Sequence, residues 1–348
     1  MAGTPGNLVE FGLVEAWPPP EWCDSHVVLA VSSGPDSVAL LRAMLAAKAR
    51  SGGPGELIVA HFNHAVRGTA ADADQVWLEA LCSRLDVQLV VGRVIQSAAN
   101  QDQGNGWEAA ARNARYRFLC ETADGRGARF VAVAHTSDDQ VETVLHHLLR
   151  GTGLDGLAGM PRYRKLSPSV TLVRPLLEQT RKQILQYLSD IGQDFRTDET
   201  NADTRWTRNR LRHELLPLLR ERFNSDVDRA LLRLAAQAGE AQHAIVELAR
   251  PLAEECVSLE PVRVKLASTE IRRLRIKCGR LEGRPQAVVR EVARIAWQQA
   301  GWPLQAMGFD QWQQLAELIA NVRNAPINLP GNIRARREGD VLVVEMMG

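Results

Sequence analysis

The sequence predicts an α/β protein: a parallel sheet with helices on both faces, then a smaller, mainly helical C-terminal domain ending in a short β-hairpin. Short apolar runs alternate with longer helix-like stretches over the first two-thirds of the chain. The runs are near-continuously apolar, as in strands buried on both faces. Past about Phe223 helical periodicity takes over, and the chain closes on Ile333–Arg336 and Val341–Glu345 around a Glu338-Gly339-Asp340 turn.

In order, the predicted strands are Val27–Val31, Leu57–Phe62, Leu89–Val94 and Phe130–Ala134, with a shorter one at Thr171–Val173. Between them lie helix-like segments at Ser37–Ala49, Asp72–Leu85, Trp107–Thr122 and Asp138–Leu149. This is a Rossmann-like arrangement, whose ligands bind at the carboxyl ends of the strands. Three polar clusters follow such ends: Ser32–Ser37, His61–Arg67 and His135–Glu142. Further helices are expected at Asp226–Leu248, Thr269–Cys278, Ala287–Gln299 and Phe309–Leu318, with a strand at Ile327–Leu329. The expected organisation is an N-terminal extension (1–24), a main domain (25–222) and a C-terminal domain (223–348).

Composition excludes several classes. The 348 residues carry a net charge of +1, so no global field marks a nucleic-acid partner. Five scattered cysteines without a C-x-x-C pair fit reduced thiols in a cytoplasm, and support neither a disulfide framework nor a zinc or iron–sulfur site. No run suits a membrane span or a secretory leader, and the chain reads as soluble and cytoplasmic. Oligomeric state stays open.

Ser32-Ser33-Gly34-Pro35-Asp36-Ser37 is the most informative segment. A Gly/Ser turn between a buried strand and a helix start aims backbone N–H groups and the positive helix end at one point, which suits phosphate. Ser32, Ser33 and Ser37 can add hydroxyl donors. A carboxylate at Asp36 repels polyphosphate unless a cation intervenes, which suggests a Mg²⁺ bridge. The alternative is a plain helix cap. The G-x-x-x-x-G-K-[ST] loop of ordinary ATPases is absent.

The remaining clusters each carry two readings. Asn63, His64 and Arg67 form a polar rim for a nucleotide or RNA phosphate, or a structural turn. Glu108 and Arg112 suit a surface pair, whereas Arg112 and Arg115 beside a site would neutralise phosphate. Ser137 with Gln140 suits a capping box, yet Asp139 and Glu142 share a helix face and can hold a metal or an amine. Gly151–Met160, with four glycines, is a linker or a closing loop. Arg205–His213 is locally basic: Arg208 and Arg212 share a face above a Leu211, Leu215, Leu218 stripe, suiting RNA contact or a solvated surface. Arg272, Arg273, Arg275, Lys277 and Arg280 form a second basic patch.

Together these segments resemble the tRNA(Ile)-lysidine synthase family, of the PP-loop ATP pyrophosphatase (adenine nucleotide hydrolase) type. The pattern S-G-G-x-D-S is similar to Ser32–Ser37, H-x-N-H-x-x-R to His61–Arg67, and E-x-x-A-R-x-x-R-Y to Glu108–Tyr116. A-H-x-x-D-D-Q-x-E-T is similar to Ala134–Thr143, and L-R-G-T-G-x-x-G-L-x-G-M to Leu149–Met160. R-P-L-L at Arg174–Leu177 and R-N-x-[IL]-R-H at Arg208–His213 complete an ordered set over about residues 26–220. The resemblance implies ATP cleavage between the α and β phosphates and adenylation of the wobble cytidine of a CAU anticodon. Free lysine then displaces AMP to give lysidine, so that the tRNA reads AUA instead of AUG.

It further implies Asp36, Arg112, Asp139, Glu142 and Arg208 as catalytic, with Mg²⁺ near Asp36. ATP would meet Ser32, Ser33, Gly34, Pro35, Asp36, Ser37, His61 and His135, and tRNA would meet His64, Arg67, Arg115, Arg205 and Arg212. Asp139 with Glu142 would suit the cationic amino acid. Ser33 stands where the family usually has glycine, which requires a negative φ. Thr136 replaces a frequent second histidine. One C-terminal domain is expected, where longer members carry another that contacts tRNA. A PP-loop tRNA thiolase would need paired cysteines, a small-metabolite synthetase would not need the basic segments, and a binding protein without catalysis would not need Asp36, Asp139 and Glu142.

Overall fold

The computed structural model describes residues 7–63, 69–93, 105–196, 207–262, 271–320 and 325–347. The chain divides into two compact units, Met1–Arg150 with Gly159–Arg233, and Gly151–Ala158 with Leu234–Gly348.

The first unit is built on strands β1 (Val27–Ala30), β2 (Leu57–Asn63), β3 (Gln88–Arg93), β4 (Phe130–Val133), β5 (Tyr163–Lys165) and β6 (Thr171–Val173). Their order is β3-β2-β1-β4-β6-β5, with every pair parallel except β5–β6. Side chains of β1 alternate between two cores, as the period of a strand requires. Val27 and Leu29 pack with Val9 and Leu13 of α1 (Leu8–Ala16), Leu40, Leu41 and Met44 of α2 (Pro35–Ser51), and Ile184 and Leu188 of α7 (Arg181–Asp190). Val28, Val131 and Val133 pack with Leu119 and Ala123 of α4 (Asn105–Gly125) on the opposite face. Helices therefore cover both faces of the sheet. The face that carries α2 is extended by α3 (Thr69–Arg84) beside β2 and β3, through Leu78, Leu81 and Cys82, and α5 (Ser137–Leu149) follows β4.

Three elements differ from the sequence expectation. Part of the N-terminal extension is the core helix α1, whose Asn7 cap accepts from the Val9 N–H at 3.1 Å. The helix is only nine residues long, too short for periodicity to reveal. The Gly151–Met160 segment carries a short helix, α6 (Leu154–Leu157). The basic helix near Arg208 runs as α8 (Thr207–Arg210), a π turn (Leu211–Leu215) and α9 (Leu216–Arg222). Leu211 is buried but Leu218 is 42% exposed, so the expected apolar stripe is broken at the π turn.

In the second unit, the C-terminal part of α10 (Val227–Cys256), α11 (Gln286–Gln299) and α12 (Phe309–Ala320) accompany an antiparallel sheet. Its strands are β7 (Val257–Val262), β8 (Ile271–Lys277), β9 (Ile327–Leu329), β10 (Ile333–Glu338) and β11 (Val341–Met346), in the order β7-β8-β11-β10-β9. The expected closing hairpin is β10–β11, lying within this larger sheet. The helix expected at Thr269–Cys278 is corrected to strand β8. Leu274 and Ile276 are buried and alternate with Arg273, Arg275 and Lys277, a period of two rather than 3.6. The second basic patch is consequently ion-paired across strands, Arg273 to Glu345 at 2.8 Å and Arg275 to Glu260 at 3.5 Å.

One buried cation fastens this unit. The Arg337 side chain is 3% exposed and donates to the carbonyls of Ile319 (2.7 Å), Leu318 (3.3 Å) and Gly339 (2.9 Å), and to Glu282 (3.0 Å). Two of these carbonyls belong to the last turn of α12, where helices leave acceptors unpaired. Arg337→Met should cost about 2–3 kcal/mol by stranding them. A lower chemical-denaturation midpoint would show it, and an unchanged midpoint would refute the fastening role.

Candidate active site

The first polar cluster folds on its own hydroxyls. Ser37 Oγ lies 2.8 Å from the Ser32 carbonyl and 2.9 Å from that of Gly34, and accepts from the Ser32 N–H at 3.0 Å. Ser32 Oγ accepts from the Gly34 N–H at 3.3 Å. Ser33 and Ser37 are buried and Ser32 is exposed, so the Ser32 hydroxyl is the one open to a ligand. Pro35 opens α2 with its missing N–H at a position that needs none. Ser33 is not among the residues with positive φ, so serine is accommodated where the family pattern has glycine.

Asp36, in the first turn of α2, meets two other elements. Its Oδ2 accepts from Arg181 Nη1 at 3.1 Å, while Oδ1 is buried with no hydrogen-bond partner. Burial foremost pushes its pKa up to about 6, with Arg181 opposing and the charge of Asp139 reinforcing the rise. Arg181 is absent from the residues that sequence reasoning singled out. It begins α7, where Thr180 caps, and its own N–H donates to Asp138 Oδ2 at 2.8 Å. A cation at a helix N-terminus opposes the dipole, and that anomaly was the available signal.

The third cluster shows a different cap from the expected one. Thr136, not Ser137, is the N-cap, and Asp139 rather than Gln140 returns the bond, with Oδ2 accepting from Thr136 N (2.9 Å) and Oγ1 (3.2 Å). Gln140 instead clasps the Met160 backbone, Oε1 accepting its N–H at 2.8 Å. Gly159 makes this possible: its φ is +71°, and a Cβ there would stand 2.7 Å from the Gln140 amide oxygen. Asp139 and Glu142 do share a face, and Arg212 sits against both. Its Nε donates to Glu142 Oε1 at 2.5 Å, and its Nη2 lies 3.8 Å from Asp139 Oδ1. Burial disfavours the guanidinium charge, yet the bond to Glu142 and the charges of Glu142, Asp139 and Asp36 hold its pKa above the ordinary value. The residue expected to meet tRNA is thus joined to the carboxylate pair.

The two histidine rings are set in opposite tautomers by their partners. His61 is buried, which lowers its pKa, and Nδ1 lies 3.0 Å from the Val31 carbonyl. A carbonyl only accepts, so Nδ1 carries the proton and Nε2 is an acceptor. His135 Nδ1 accepts from Arg174 Nε at 3.0 Å, which leaves its proton on Nε2. Arg174 is 2% exposed and also donates to the Pro161 carbonyl at 2.5 Å. Tyr116 is ringed by guanidinium groups, Arg164 at 4.8 Å from its centroid, Arg112 at 5.4 Å and Arg115 at 5.7 Å. His64, Arg67 and Arg205 lie outside the described residues, and of Arg208 only its place on α8 is described. Among the described residues no group of three potential metal ligands occurs, and no helix is long and apolar enough to cross a membrane.

A backbone-lined turn, a half-buried carboxylate with one enclosed, unpartnered oxygen, a carboxylate pair and an arginine cluster make an arrangement for phosphate and amine chemistry. The model of the PP-loop domain family matches residues 18–219. The tRNA(Ile)-lysidine synthase of Rhodopirellula baltica is 34% identical over 324 residues, covering 85% of this chain and 80% of that one. That of a Nostoc strain is 32% identical over 329 residues, covering 92% and 91%. That of Bacillus subtilis is 38% identical over 195 residues, 56% of this chain and 40% of its own length. Among solved structures, the U34-tRNA thiolase NcsA from Methanococcus maripaludis aligns over 66% of this chain and 77% of its own, with a TM-score of 0.55 and 12% identity, a likeness of fold alone. The domain match over the parallel sheet and the near chain-length relatives agree, and the chain belongs to the tRNA(Ile)-lysidine synthase family of PP-loop proteins.

Proposed function

We propose that this protein uses ATP to join lysine to the wobble cytidine of tRNA(Ile) bearing a CAU anticodon. The cytidine is adenylated with loss of pyrophosphate, and lysine then displaces AMP to form lysidine, changing the codon read from AUG to AUA. The observation that carries the reading is the meeting of Asp36, Asp139 and Glu142 beside the Ser32–Ser37 turn in a chain of this family. The turn offers N–H groups and the Ser32 hydroxyl to polyphosphate. Asp36 fits a Mg²⁺ site, since its buried Oδ1 lacks a partner and Mg²⁺ is commonly held by one or two carboxylates plus phosphate oxygens. When bound, the cation neutralises phosphate charge beside that carboxylate.

His61 offers an acceptor and His135 a donor, the pair of functions that a purine edge presents in reverse. Arg112 and Arg208 assist activation, and Asp139 with Glu142 receives the cationic amino acid. The arginines around Tyr116, with His64, Arg67 and Arg205, meet the RNA by charge and stacking. Residues 25–222 carry the chemistry and 223–348 contribute tRNA contact, in a cytoplasmic enzyme. The test is lysine incorporation, with ATP, into a tRNA(Ile) transcript with a CAU anticodon, beside the same transcript with uridine at the wobble position. Incorporation into the first alone is expected. ATP-to-AMP turnover with another acceptor would overturn the substrate and keep the PP-loop chemistry.

A further inference from the structure

We propose that Arg212 is a positioning residue that occupies the amine seat of Asp139 and Glu142 until substrate lysine takes its place. The inference rests on the functional reading above and deepens it. The Glu142 side chain is 2% exposed, and a carboxylate so buried needs a counter-charge in every state of the enzyme. Arg212 supplies it in the ligand-free protein, with Nε on Glu142 at 2.5 Å and Nη2 facing Asp139 at 3.8 Å. A lysine ammonium would bring the same charge to the same oxygens. Two cations in one seat repel, so one replaces the other, and the carboxylates are never left bare.

Arg212 is built to leave, whereas Glu142 is not. The arginine side chain is 33% exposed and has a route to solvent. It projects from the π turn Leu211–Leu215, a helix irregularity of a kind that recurs at functional sites. Its charge also reaches Asp36, so it spans the phosphate end and the amine end of the cluster. Phosphate is the anion suited to draw a guanidinium away, because the two groups pair in a fork. Arrival of the nucleotide or RNA phosphate therefore opens the seat, and lysine enters after that phosphate binds rather than before. Until then the enzyme's apparent affinity for lysine is reduced by the small fraction of molecules with the seat open.

The experiment measures binding of free L-lysine to the full-length protein by calorimetry, without nucleotide or tRNA, for wild type, Arg212→Lys and Arg212→Gln. The KM for lysine in lysidine formation is measured in parallel. Arg212→Gln should bind lysine at least tenfold more tightly than wild type, and Arg212→Lys, which cannot span both carboxylates, should lie between. The gain should be largely absent from KM, because ATP and tRNA open the seat in wild type too, whereas a merely structural arginine would weaken lysine in both measurements. Equal or weaker binding by Arg212→Gln would overturn the inference. If that variant does not fold, the same comparison is made with Arg212→Lys, where binding no tighter than wild type overturns it equally. Wild type that forms no lysidine would instead remove the functional reading, and the inference with it.

Discussion

Asp36→Asn should reduce ATP turnover with tRNA and lysine by roughly a thousandfold, the scale on which removal of a preorganised charge acts. The same substitution should make the protein more stable above pH 6. Both effects come from one fact: the carboxylate is about three-quarters buried and its Oδ1 is enclosed without a partner. Asn keeps the shape and can still accept from Arg181, but it cannot hold a cation against polyphosphate. The Arg181 side chain is 40% exposed and tolerates the loss of a charged partner.

The pH dependence follows from the sign of the shift. The Asp36 pKa is raised from 3.8 to about 6, so folding penalises its ionised form. Below pH 3.8 the group is protonated in both states and contributes nothing. Between 3.8 and 6 the penalty grows, and above 6 it is complete, on the order of 3 kcal/mol for a shift of this size. Asp36→Asn should recover part of that at pH 8 and none at pH 3.5, read from melting temperatures at the two values. Equal destabilisation at both would mean that Asp36 stabilises the fold, and would sink the reading of a strained ligand-binding carboxylate.

Much of this site was legible because its spacing is local. Ser32–Ser37 and Ala134–Thr143 each sit on one strand end, and a parallel sheet brings such ends to one edge. What the sequence concealed depends on partners far along the chain. Arg181 lies 145 residues from Asp36, and Arg212 lies 70 residues from Glu142, so no window of periodicity joins them. For the same reason the basic stretch at Arg208–Arg212 read as RNA contact or a solvated face, although one of its arginines neutralises a buried carboxylate. Strand β8 was missed where dense arginines mimic a helical face, because its partners β7 and β11 supply the paired carboxylates. Thr136 read as a departure from the family motif, yet its backbone and hydroxyl hold Asp139 in the capping position.

Arg174→Met should weaken ATP binding roughly 10- to 100-fold and lower stability by about 2–4 kcal/mol, since it removes a donor from two groups at once. Methionine replaces most of the buried volume, so the loss is one of hydrogen bonds and not of packing. Burial pulls the Arg174 pKa down to about 10, which still leaves it charged at neutral pH and always a donor. That fixed role is what forces His135 to carry its proton on Nε2. Without it both tautomers of His135 become accessible, and half of the ring's hydrogen-bonding pattern points the wrong way for a nucleotide. The Pro161 carbonyl, one residue beyond the Gln140–Met160 clasp, is stranded as well. Arg174→Lys should not rescue ATP binding, because one ammonium cannot donate to His135 and Pro161 in the planar fork that arginine provides. Calorimetry with a non-hydrolysable ATP analogue separates the two parts of the effect. Reduced stability with unchanged affinity would make Arg174 a fastening of the fold and take His135 out of the nucleotide site. A fall of both would tie the R-P-L-L segment to nucleotide binding through one histidine proton.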